Sequence, residues 1–281
     1  MIARRLLLSL PLAATACSPL DLANGLTTSG HTRLEAGLPY GAGEWARYDL
    51  YIPSDAAVAA PLLVFFYGGG WRSGERADYA FAARSLASLG LLVAVPDYRL
   101  FPEARWPAFM EDGAAALRAI QAGPGRGRPI FLMGHSAGAF IAISLAADRR
   151  WLGAERDGLA GAIGLAGPYD FGPEDDPAGI FAAAPARRAQ AVPEPSALRG
   201  APPLLLLQGE ADDTVRPAQA TRFAALAGAQ GVNVTTRLYP GLGHIGIVAA
   251  LAQPLRALGL EGAPVLDDIR RWLAERSAAP V

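Results

Sequence analysis

The sequence predicts an α/β fold with a mostly parallel central sheet, helices on both faces and a small lid insertion. Short, continuous apolar runs recur at residues 62–67, 91–95, 130–133 and 204–207, which is the pattern of strands buried on both sides. Segments with helical periodicity separate them, and strands alternating with helices make a parallel sheet. With 281 residues, 52% of them hydrophobic and 18% charged, the chain can bury one large core, and residues 44–281 are expected to form a single domain.

Ahead of that domain, Arg4-Arg5 precedes an apolar stretch at 6–14 that is too short to span a bilayer, so residues 1–16 are expected to be a secretory signal peptide. The Arg pair also faintly resembles a twin-arginine signal. Ala14-Thr15-Ala16 before Cys17 satisfies an ordinary small-x-small cleavage site and also looks like a bacterial lipobox; both cut at the same bond. A lone cysteine at the cleavage point favours lipidation of Cys17 over a soluble mature form. The expectation is an exported protein on the periplasmic side of the cell envelope, held to the membrane by its lipid anchor. With one cysteine, no intramolecular disulfide and no thiolate metal cluster can form. A net charge of −1 and a pI near 6.3 give no basic excess for nucleic acid, and suit a small neutral substrate.

Residues 17–43 read as a tether or N-terminal arm, with His31 an exposed loop residue. From 44 to 52, Ala46, Tyr48, Leu50 and Ile52 alternate, predicting an antiparallel edge strand. The 62–67 strand runs into Gly68-Gly69-Gly70-Trp71. A helix at 77–89 and a strand at 91–95 follow. Asp97 and Arg99 are then expected to pair and pin a loop. Pro107 fits the first position of a helix to 122, ended by Gly123-Pro124-Gly125. The strand at 130–133 stops at Gly134-His135-Ser136-Ala137-Gly138, which fits the Gly-x-Ser-x-Gly nucleophile elbow, and an all-round apolar helix spans 137–147. After a strand at 160–166, the Pro-rich residues 171–200 predict a lid-like insertion over the strand ends. A strand at 203–208, a helix at 216–229, a strand at 232–239 and a final helix at 265–275 complete the domain.

A serine hydroxyl needs a base to take its proton as it attacks. The chain has three histidines. His135 adjoins Ser136 on a strained turn and should point elsewhere, and His31 lies in the arm, which leaves His244. An acidic partner would fix the imidazole tautomer, and the loop 209–215 offers Asp212 and Asp213. The order Ser, Asp, His is the one found with the strand–elbow–helix arrangement. The amide of Ala137, just past the nucleophile, would hold an oxyanion.

Tyr67-Gly68-Gly69-Gly70-Trp71 resembles the His-Gly-Gly-Gly motif of α/β-hydrolase esterases related to hormone-sensitive lipase, with Tyr67 standing where the family has histidine. Asp97-Tyr98-Arg99-Leu100 is similar to a second segment of that group, and the likeness runs from about Tyr48 to the final helix. The resemblance implies an α/β-hydrolase fold, oxyanion amides at Gly69 and Gly70, and an acid three residues after a glycine and three before a valine, which selects Asp212. It further implies a serine carboxylesterase that cleaves small esters through an acyl-enzyme and needs no metal or organic cofactor. Similar folds act as arylformamidases, carbohydrate deacetylases, feruloyl esterases or exopeptidases. A non-catalytic exported binding protein on the same scaffold is the alternative of a different class. The short stretch before Glu44 leaves little for a cap, so short acyl groups are expected.

Overall fold

The computed structural model describes residues 24–25, 32–170, 179–181, 193–252 and 264–277. The expectations for the signal segment, Cys17, His31 and most of the 171–200 insertion lie outside the described residues. Strands β1 (Thr32–Pro39), β2 (Arg47–Pro53), β3 (Leu62–Phe66), β4 (Leu92–Pro96), β5 (Ile130–His135), β6 (Leu159–Leu165), β7 (Leu204–Gly209) and β8 (Val234–Tyr239) form one sheet. Their order is β1-β2-β4-β3-β5-β6-β7-β8. From β4 to β8 all neighbours are parallel, whereas β1 pairs with β2 and β2 with β4 antiparallel. Every residue of β3, β4, β5 and β7 is buried, as their unbroken apolar character requires.

The helices are α1 (Ala80–Ala87), α2 (Ala108–Ala122), α3 (Ala137–Ala147), α4 (Arg149–Leu152), α5 (Ala218–Ala229), α6 (His244–Ala249) and α7 (Val265–Ser277). Strand β6 shows that they cover both faces of the sheet. A side chain at Gly161 would run into Trp272 of α7, and one at Gly164 into Ile143 of α3. Positions three apart on a strand point to opposite faces, so α3 and α7 lie on opposite sides. Helix α3 is buried at every position, which explains why its sequence is apolar all round.

Two expectations change. Strand β2 is not the edge, because residues 32–39 of the supposed arm form β1 outside it. An edge strand with Gly37 and Pro39 and no clean alternation gives little sequence signal. Its bulge between Glu35 and Leu38 is held where the Gly37 N–H donates to the buried Asp49 carboxylate at 2.8 Å. Asp97 and Arg99 do not pair with each other. Asp97 accepts from the Arg76 backbone N–H at 2.8 Å and from its guanidinium. Arg99 forks onto the buried Asp112, Nη2 to Oδ1 at 2.7 Å and Nε to Oδ2 at 2.9 Å. Asp112 also accepts the Arg99 backbone N–H at 2.9 Å, a two-pronged fit that satisfies a buried carboxylate better than a single neighbour would.

Arg156 is completely buried and serves as a three-way tie. Its Nη1 donates to the carbonyls of Ala147 at 2.8 Å and Ala197 at 2.9 Å, and its Nη2 donates to that of Arg199 at 2.7 Å. Ala147 is the last residue of α3, so a cation meets the negative end of the elbow helix and its unpaired carbonyls. Replacing Arg156→Met strands these carbonyls in the core and should lower unfolding free energy by about 3 kcal/mol, read from urea denaturation. A loss below about 0.5 kcal/mol would mean that water reaches them.

Candidate active site

The site is built where β5 turns into α3. Ser136 sits at φ 53° and ψ −120°, a conformation that costs an ordinary L-residue energy and persists only where its surroundings enforce it. A Cβ on Gly134 would overlap the Gly138 carbonyl, and one on Gly138 would overlap the carbonyls of Phe66 and Tyr67. The Ser136 N–H donates to the Leu165 carbonyl of β6 at 2.9 Å. Closely stacked backbone on both sides thus fixes the strained serine.

His244 opens α6 at the end of the β8 connection. Its Nε2 lies 2.9 Å from the Ser136 Oγ and its Nδ1 lies 2.9 Å from the Asp212 Oδ2. Asp212 is buried, and its other oxygen accepts backbone N–H groups of Thr214 at 3.0 Å and Val215 at 2.8 Å. With Oδ1 occupied, Oδ2 faces the imidazole, so the Nδ1–H donates to Asp212 and Nε2 is free to accept from the serine. Asp213 is exposed on the cleft wall, so the structure brings Asp212, and not its neighbour, to His244.

Gln208 was not singled out from the sequence. Fully buried at the end of β7, it donates through Nε2 to Asp212 Oδ2 at 2.9 Å and to the Val215 carbonyl at 3.1 Å. The available signal was an amide closing a run of four leucines in a strand with no exposed face. The Asp212 and His244 loops are also joined directly. Ala211 donates its N–H to the Leu242 carbonyl at 3.0 Å, and a side chain at Gly209 would overlap that same carbonyl.

Among the glycines after β3, Gly69 has φ +124° and Gly70 φ +60°, backbone that favours glycine. The Gly69 carbonyl accepts from Arg72 at 3.0 Å and Ser73 at 3.2 Å, closing the loop into a turn. Gly70 and Ala137 line the cleft with Ser136, while Gly69 lies one residue behind. Ala137 is the first residue of α3, where an N–H has no partner within the helix.

The cleft is about 600 Å³. One wall is aromatic. Trp71, itself at φ 58°, meets Phe181 edge-on at a centroid distance of 4.8 Å, and Phe109 and Phe140 stand behind them. The rest of the lining includes polar groups, with Asp170 accepting from Arg222 Nε at 2.7 Å and Thr214, Arg216 and Gln219 also bordering the cleft. Among the described residues, no group of three or more His, Cys, Asp or Glu side chains is placed to hold a metal ion.

His135 turns away from the cleft. Its Nε2 lies 3.0 Å from the His244 carbonyl and its Nδ1 2.9 Å from the Tyr79 hydroxyl, in the core. Burial, aided by the nearby His244, pushes its pKa down to about 3.

The family described as the alpha/beta hydrolase fold matches residues 63–177, from β3 through the elbow and beyond. This chain has the α/β-hydrolase fold. A second family, described as the prolyl oligopeptidase family, matches residues 167–257, the part carrying Asp212 and His244. Isoprenylcysteine alpha-carbonyl methylesterase of Arabidopsis thaliana is 34% identical over 114 residues, 39% of this chain and 27% of the relative. The chain spans about a quarter of the length of the methylesterases it matches. Kynurenine formamidase of Salmo salar is 24% identical over 229 residues, 76% of each chain. Among solved structures, a truncated carbohydrate esterase from gut microbiota superposes with a TM-score of 0.75 at 17% identity, over 89% of this chain and 98% of that one. An esterase/lipase from an uncultured bacterium gives 0.71 at 21% identity, over 96% and 95%. Both likenesses are of fold.

The depressed His135 value has a pH consequence. Between about 3 and the ordinary 6.5, the unfolded chain binds a proton on this imidazole and the folded chain does not. Stability therefore falls as pH drops through that window, by at most about 1.4 kcal/mol per pH unit. Urea unfolding at about pH 7 and about pH 4.5 should show a smaller acid loss in His135→Gln than in the wild type, by roughly 2 kcal/mol. Equal losses would mean that the folded imidazole takes up its proton normally.

Proposed function

We propose that this α/β hydrolase cleaves small carboxylic esters through an acyl-enzyme formed on Ser136. The observation that carries the reading is the unbroken line Ser136 Oγ, His244, Asp212, with both links 2.9 Å, opening onto the cleft. The Ser136 Oγ attacks the acyl carbonyl carbon while its proton passes to His244 Nε2. Asp212, held by Gln208 and two backbone amides, keeps the imidazole in the receptive tautomer and stabilises the imidazolium. The oxyanion is received by the Ala137 amide at the start of α3 and by the glycine loop, Gly70 with Gly69 behind it, where fixed dipoles need no reorganisation. His244 then protonates the leaving alkoxide, and water, deprotonated by the same imidazole, releases the acid. No step calls for a metal or organic cofactor.

A second reading, hydrolysis of a formamide, is favoured by the fish kynurenine formamidase, which aligns over three quarters of both chains. The same groups would serve, with an amine leaving in place of an alcohol. The polar groups lining the cleft support a third substrate class, acetylated sugars. Export and lipidation at Cys17 belong to the proposal and rest on the sequence alone.

Ser136→Ala and His244→Ala should each reduce p-nitrophenyl acetate turnover by roughly 10⁴- to 10⁶-fold, since members of such a unit fail together. Asp212→Asn should cost about 10⁴-fold by holding the wrong tautomer, and Asp213→Asn should cost little. Turnover near wild type in Ser136→Ala, with labelling by a fluorophosphonate probe absent, would point to the non-catalytic binding protein and a contaminating activity.

Acyl length tests the cleft. A buried methylene is worth about 0.8 kcal/mol, close to fourfold in kcat/KM. The Trp71–Phe181 wall limits how many methylenes can be covered, so kcat/KM should peak between acetyl and butyryl esters and fall by octanoyl. Trp71→Ala should move the peak to longer chains. A wild-type series that rises steadily to decanoyl, below micelle formation, would show an apolar channel past the aromatic wall.

A further inference from the structure

We infer that His135 is a positioning residue which, through Tyr79, holds the backbone of His244 in register with the glycine loop that starts at Gly68. The inference rests on the serine-hydrolase reading above. A carbonyl oxygen only accepts, so the His135 Nε2, 3.0 Å from the His244 carbonyl, must carry the proton. Its Nδ1 is then a bare lone pair, and the group facing it at 2.9 Å, the Tyr79 hydroxyl, must donate. The phenol oxygen also stands against the Gly68 backbone. The bonds run in a defined sense from the Tyr79 hydroxyl through His135 to the His244 carbonyl.

Neither Tyr79 nor His135 has an alternative partner in water, because they are 3% and 1% exposed. The approach is so close that a Cβ on Gly68 would stand 2.8 Å from the Tyr79 hydroxyl oxygen and 2.9 Å from His135 Nδ1. Burial raises the Tyr79 pKa and depresses that of His135, so each keeps the protonation state that the bond directions need. Gly68 follows β3 and His244 follows β8, with β5, β6 and β7 between them in the sheet. A side chain at the end of β5, the strand that also delivers the nucleophile, bridges that separation. The base and the oxyanion amides are thereby set by one shared reference.

The test measures kcat and KM on p-nitrophenyl acetate, with kcat expressed per site titrated to completion by a fluorophosphonate probe. His135→Phe removes both bonds and should lower kcat per titrated site by about 10- to 100-fold with KM changed less than about threefold, as displacements of about an ångström do. Tyr79→Phe should lower it in the same sense. The double variant should be no worse than His135→Phe, because both act through one chain. His135→Gln, whose amide retains a donor and an acceptor, should recover most of the loss. Wild-type kcat in His135→Phe, losses that multiply in the double variant, or a deficit confined to KM or to the number of titratable sites would overturn the inference. If His135→Phe does not fold, Tyr79→Phe decides alone, and unchanged kcat refutes. A wild-type protein unreactive toward the probe at Ser136 would bring down the hydrolase reading and this inference with it; a reactive wild type with unaffected variants brings down only the inference.

Discussion

The geometry of this protein depends on one place where backbone meets backbone with no side chain between. Helix α3 begins so close to the end of β3 that Gly138 faces the carbonyls of Phe66 and Tyr67, while Gly134 faces Gly138 itself. Any β-carbon at either position would push the helix off the sheet. Because the contact is made, the strand that ends in the glycine loop and the strand that ends at Ser136 finish side by side. Ser136, the Ala137 amide and Gly70 then border one cleft. The strain at Ser136 and the complete burial of α3 are both consequences of that approach.

Asp212 and His244 arrive on the other half of the sheet, and hydrogen bonds substitute there for close packing. Asp212 accepts from two backbone amides, the Gln208 carboxamide and His244, so a buried carboxylate is satisfied without any cation as a permanent partner. The carbonyl of Leu242 receives the Ala211 amide, which joins the two loops behind the imidazole. The Asp212 carboxylate is thus satisfied by neutral dipoles around the imidazole.

Much of the fold was legible because burial on both faces leaves an unmistakable apolar run, as at β3, β5 and β7, and because a glycine-flanked serine between strand and helix has few other uses. His244 was legible for lack of competitors. Strand β1 was not, since an edge strand is held by backbone pairing, and its side chains need follow no pattern. Asp97 and Arg99 looked like natural partners only because they are near each other in sequence; their actual partners, Arg76 and Asp112, are 21 and 13 residues away. Gln208 and His135 depend on contacts across the sheet, which no local window contains. Between Asp212 and Asp213, only the spacing implied by the resemblance separated two otherwise similar carboxylates. What separates them in the structure is which one the turn after β7 directs inward.

Arg156 bears on how the border of the cleft could vary. The residues that flank 171–192 are fixed to the scaffold at two posts. Upstream, Asp170 is gripped by Arg222 and by Gln219. Downstream, the carbonyls of Ala197 and Arg199 are moored to the same guanidinium that closes the elbow helix. Between those posts in sequence, Phe181 borders the cleft, so a substitution there would reshape the cleft wall while the supports of Ser136, His244 and Asp212 stay where they are.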